Sequence, residues 1–93
     1  MSLESIIKYK DHQIVLVRND LSSFGKYVCG YVYLDNIEIL EKNIGQETYR
    51  KGNVIGVDTA HSYIDNMTYE EKREDAIRGV KEIIDIYETV NKK

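Results

Sequence analysis

Hydrophobic period changes once along this chain, at Thr68. Before it, apolar residues come in short runs or alternate with period two, as in strands; after it they recur every three to four residues, as in a helix. Several strand-like segments followed by one helical segment restrict the fold to a sheet closed by that helix. The expected class is α+β, a small antiparallel sheet of about four to five strands packed against one C-terminal helix.

The start of the helix is written in its side chains. Thr68 as N-cap and Glu71 three residues later form a capping box, and Glu70, Glu71 and Glu74 place negative charge where the helix dipole favours it. Tyr69, Arg73, Ala76, Ile77, Val80, Ile83, Ile84, Tyr87 and Val90 share one stripe, with Lys81, Glu82 and Asp85 off it. Gly79 costs about 1 kcal/mol inside a helix unless the sheet approaches closely there.

Residues 27–34 form the clearest strand. Alternation sends Val28, Val32 and Leu34 to one face, which should meet the helix, and Tyr27, Cys29, Tyr31 and Tyr33 to the other. Gly30 interrupts the aliphatic row, the mark of a bulge or of close approach by the helix or another backbone. Residues 6–10 and 13–18 read as a hairpin around Asp11-His12, with a short N-terminal helix as the competing reading. Asp35-Asn36 should turn the 27–34 strand into a partner at 37–40. Residues 19–26 form a loop anchored by Phe24, residues 43–52 a loop with a short strand at 47–49, and residues 53–58 a last, central strand.

A length of 93 residues allows one domain, 1–93 with its core at about 6–90, and any cleft is shallow unless a second subunit completes it. The 16 acidic and 13 basic residues are interleaved, for a net charge of −3, which argues against extended nucleic acid as a partner. No apolar run approaches the roughly 20 residues that span a membrane. Cys29, the single cysteine, has no disulfide partner within the chain, and the first twenty residues lack a secretory pattern, so the expected location is cytoplasmic.

Titratable groups gather between Gly56 and Asp65. Asp58, His61 and Asp65 are metal-ligand and proton-carrier residue types, which suits a metal-assisted or acid–base hydrolase. The same residues suit a structural role, Asp58 tightening the turn, a carboxylate holding His61, and Asp65 or Asn66 leading into the helix. A dedicated metal motif would bring further His or Cys ligands, and the other histidine, His12, lies in a different turn, so neither metal nor cofactor is expected. Cys29 becomes a nucleophile only if His61 or His12 reaches it.

Tyrosine is over-used: eight, against one phenylalanine and no tryptophan. Tyr27, Tyr31 and Tyr33 on one sheet face make either half-buried strand residues or an amphipathic contact platform, with Phe24, Lys26 and Arg50 as a rim.

Three pieces of the chain together resemble a known family. Cys29-Gly30-Tyr31-Val32, Gly45-Gln46-Glu47-Thr48-Tyr49, and Ile55-Gly56-Val57-Asp58-Thr59-Ala60-His61 with Asp65 are similar, in that order, to motifs of a family of small uncharacterised phage and prophage proteins. The resemblance covers roughly residues 24–90. Gln46-Glu47 stand where the family has a second glycine and an apolar residue, and Val57 where it has an aromatic. The resemblance implies a small intracellular protein of a mobile element, of unassigned activity, and by analogy accessory phage proteins of this size often bind a host protein or sequester a small signalling molecule.

The function expected is that of a non-enzymatic accessory protein that binds or sequesters a host factor or a small, nucleotide-like ligand. Tyr27, Tyr31, Tyr33, Phe24, Lys26, Arg50, Asp58 and His61 are its expected contact residues. The alternatives are the Asp58/His61/Asp65 hydrolase and a structural homo-oligomer that pairs through strand edges or the tyrosine face.

Overall fold

A computed structural model describes residues 2–19, 27–40, 49–58 and 68–91, and at Asn19, Tyr27, Tyr49 and Asp58 the backbone alone. The strands are β1 (Ser2–Tyr9), β2 (His12–Asn19), β3 (Tyr27–Tyr33), β4 (Tyr49–Lys51) and β5 (Val54–Asp58), followed by the helix α1 (Tyr69–Asn91). They form one antiparallel sheet in the order β1-β2-β3-β5-β4, so β3 is central and β1 and β4 are its edges. This is the α+β architecture expected, a five-stranded sheet packed against one C-terminal helix.

The first hairpin pairs Tyr9 with His12 and turns through Lys10 and Asp11, whose φ angles are 47° and 65°. Two successive positive φ values match the type I′ turn, whose twist agrees with that of the strands. The turn is therefore centred one residue earlier than Asp11-His12, and the segment before it is a strand from Ser2 onward, not a helix. The β1–β2 register shifts between Leu3 and Ser5, so Glu4 sits at a bulge.

Residues 37–40 depart from expectation. They form a 3-10 helix, and β3 pairs with β2 and β5 instead of with them. Ile37 and Leu40, three residues apart, are both buried, the spacing that a three-residue turn places on one side and a strand cannot. Asn36, at φ 55°, makes the reversal, and its carbonyl accepts the Ile39 N–H at 3.1 Å. The short strand expected at 47–49 lies at 49–51 and joins β5 through Gly52, whose φ of 61° favours glycine.

One face of the sheet and one stripe of the helix make the core. Ile14, Leu16, Val28, Val32 and Ile55 meet Ala76, Val80, Ile83, Ile84 and Tyr87, and Leu34, Ile37 and Leu40 complete the cluster. The helix packs chiefly on β3. A β-carbon on Gly30 would stand 2.8 Å from Val80 Cγ2, and one on Gly79 would stand 3.1 Å from Val57 Cγ1. Gly30 is therefore a point of close helix approach, and Val57 fills the space that Gly79 leaves.

The capping box forms in full. Glu71 Oε1 accepts the Thr68 N–H at 3.1 Å, and Thr68 Oγ1 accepts the Glu71 N–H at 3.2 Å. Polar ties then fasten the helix to β1 and its turn. Arg73 Nε donates to Glu4 at 2.7 Å and Tyr69 to Glu4 at 3.1 Å, while Tyr9 and Lys10 both donate to Asp85, at 2.9 and 2.7 Å.

Candidate functional site

With the helix on one side, the sheet turns its other face outward. Register fixes which residues share that face, because side chains directly opposite on paired strands point the same way. Leu3 opposes Val17 and Val17 opposes Cys29; Ile6 opposes Val15, Val15 opposes Tyr31, and Tyr31 opposes Gly56. The bulge at Glu4 lets Leu3 and Ile6, three residues apart, both face outward.

Leu3, Ile6 and Tyr33 are the exposed large hydrophobic side chains among the described residues, at 63%, 54% and 59%, and all three lie on this face. Tyr31 is half-buried and its ring lies against Gly56, where a β-carbon would come within 2.7 Å of Cε1. Glycine at position 56 thus gives the ring its seat on the sheet. Asn53 Nδ2 donates to the Tyr33 hydroxyl at 3.4 Å.

Tyr33 also borders a cleft of about 440 Å³ at the end of the sheet, lined in addition by Asp11, His12, Gln13, Val15, Asp35 and Tyr87. His12 Nε2 lies 2.7 Å from Glu88 Oε1, and its ring meets Tyr87 edge to face at 5.8 Å. The Tyr87 hydroxyl donates to the Asp35 carbonyl at 2.6 Å. Burial, and then the negative charges of Asp35 and Glu88, raise the Tyr87 hydroxyl above its ordinary pKa. An aromatic wall beside carboxylates disfavours anions such as phosphate.

The residues singled out from sequence do not all converge. Tyr31 and Tyr33 share the outer face. Arg50 opposes Ile55, a fully buried core residue, and so belongs to the helix side of the sheet, away from the tyrosines. The Tyr27 backbone pairs with Asn19 at the far end of β3, and the Asp58 backbone pairs with Cys29. Phe24, Lys26, His61 and Asp65 lie outside the described residues, and with them the Asp58/His61/Asp65 group.

Cys29 is buried in the middle of the sheet. It opposes Val17, five residues along β2 from His12, or about 16 Å at strand rise, beyond hydrogen-bond reach. Among the described residues no three His, Cys, Asp or Glu side chains gather as a metal would require, and no described helix is long and apolar enough to cross a membrane. The sequence missed Leu3 and Ile6 because the bulge that turns both outward leaves no signal in a period-two pattern. It missed the His12–Glu88 pair because the partners are 76 residues apart.

Compared with known proteins, the chain matches no family model, no curated protein and no solved structure.

Proposed function

We propose that this is a non-enzymatic binding protein, a phage or prophage accessory protein, that engages a host protein through the helix-free face of its sheet. The observation that carries this reading is the placement of Leu3, Ile6 and Tyr33, all more than half exposed, on one face around the seated ring of Tyr31. Exposed apolar side chains gathered on one face characterise contact surfaces, and tyrosine supplies contact area at low entropic cost. The phage origin rests on the sequence resemblance alone.

A protein partner suits this face better than a nucleotide-like ligand. The face presents Leu3 and Ile6 at β1, and the adjoining cleft carries Asp11 and Asp35, which repel phosphate. Arg50, expected at the rim of the tyrosine platform, belongs to the opposite side.

Native mass spectrometry of the protein purified from host cells tests the reading, since it reports subunits, metal and small molecules together. The expected result is a stoichiometric host protein that is lost from Tyr33→Ala and Ile6→Asp while their circular dichroism stays unchanged. A partner retained by both variants, or a homodimer burying this face, overturns it. Turnover that disappears in His61→Ala would favour the hydrolase instead.

A further inference from the structure

We infer that the outer edge of β1 is a docking site for an extended strand of a partner protein, one that alternates apolar residues and carries a carboxylate opposite Lys8. This edge borders the tyrosine face and shares Ile6 with it, but main-chain pairing along β1 does not depend on what that face binds.

The first support is the edge itself. Among the described residues β1 pairs only with β2, so about every second one of its eight residues turns its backbone N–H and C=O to the other side. Such an edge is a template for one more strand, with main-chain hydrogen bonds giving affinity and alternate side chains giving specificity.

The second support is incomplete cover on both faces of the strand. Five strands span about 19 Å from first axis to last, whereas a helix is about 10 Å wide and this one sits over β3, two strands away. Ile7 and Tyr9 on the helix side are therefore only partly buried, and Ile6 on the outer side is 54% exposed. Beyond Tyr9 a groove of about 440 Å³ opens along the helix, where Ile77 lies among Glu74, Arg78, Lys81, Glu82 and Asp85, so apolar or basic side chains of an added strand suit it and acidic ones belong on the Lys8 side. A strand added to β1 would send alternate side chains over this groove and over Ile6.

The third support selects the occupant. Lys8 is exposed on the outer face of the edge, and no carboxylate among the described residues pairs with it. A second copy of β1 meets it poorly. Only the antiparallel register centred on Ile6 would set a β1 carboxylate, that of Glu4, opposite Lys8, and Glu4 is already held by Arg73 and Tyr69 on the helix side. Lysine and a bulge on an edge strand discourage self-pairing, whereas a partner strand with its own acid meets the lysine and gains the edge.

The test uses a displayed library of random short peptides selected on the intact protein. Enriched sequences are expected to alternate apolar residues and include Asp or Glu, and their binding is expected to protect β1 amides in hydrogen exchange. Lys8→Glu should weaken the selected peptides roughly tenfold or more, and Lys8→Ala by less. Lys51→Glu, a matched charge reversal on the opposite edge strand, should leave binding unchanged. The inference is overturned if nothing is enriched, if Lys8→Glu has no effect, if protection falls on other strands, or if light scattering shows a free dimer with β1 amides already protected.

Discussion

Gly30→Ala tests how closely the helix sits on the sheet. The added β-carbon would stand 2.8 Å from Val80 Cγ2, 3.4 Å from the Ala76 carbonyl oxygen and 3.5 Å from Leu16 Cδ2. Two carbons attract best at about 3.5–4.0 Å, so the first contact must open by about 0.7 Å or more. Little can yield: Val80 and Leu16 are fully buried, and a helical valine is held to one rotamer. Overpacking of this kind costs about 1–3 kcal/mol and replacing glycine within a strand returns about 0.5–1 kcal/mol, a net loss of about 0–2.5 kcal/mol, and because the neighbours are fixed the expected value is about 1–2 kcal/mol. In a domain of this size that lowers the melting temperature by about 4–16 °C. Urea unfolding followed by circular dichroism measures it, with an unchanged slope m expected. Val80→Ala removes the blocking methyl, so the double variant should be more stable than the sum of the single losses predicts, by about 1–2 kcal/mol. Wild-type stability in Gly30→Ala, or additivity within about 0.5 kcal/mol, would refute the claim that Gly30 sets the helix-to-sheet distance.

Three further outcomes are expected. Partial burial alone would raise the Glu4 carboxyl, but hydrogen bonds from Ser5, Arg73 and Tyr69 outweigh it and hold the group below its ordinary 4.5. The stability it lends is thus complete above that value and lost as pH falls through the lower folded value, so urea midpoints of Glu4→Gln should vary less with acid pH than those of the wild type. Thr68→Ala and Glu71→Ala should each cost about 1 kcal/mol, and together less than the sum because they remove one reciprocal motif, as thermal melts would show. Tyr87→Phe should cost about 1 kcal/mol in denaturant titrations, since the Asp35 carbonyl loses a part-buried hydrogen bond.

What could be read from sequence was local. The capping box, the helical stripe, the alternation around Gly30 and the first hairpin each rest on neighbours within a few residues, and each is present. The error at residues 37–40 arose because four residues cannot separate a two-residue period from a three-residue one. Ile37, Ile39 and Leu40 satisfy the strand pattern nearly as well as Ile37 and Leu40 satisfy the turn. Losing that strand also removed the expected hairpin and left β3 free to pair with β5, a choice that depends on contacts distant in sequence. The candidate site suffered in the same way. Tyr31 and Tyr33 share a face because they share a strand, but residue type alone joins Arg50 to them, and the register of β4 on β5 assigns it to the other side.

The helix follows every strand in the chain, which bears on synthesis. As the polypeptide emerges from the ribosome, β1 through β5 are available before α1, and the meander β1-β2-β3 needs only short loops to close. Until the residues around Tyr87 have been made, Ile14, Leu16, Val28, Val32 and Ile55 lack their cover, and the core face of the nascent sheet is open. Premature termination before Thr68 would leave that state permanent. A sheet with its core face uncovered would be a substrate for chaperones or for aggregation, so the five strands depend on α1 for more than their packing.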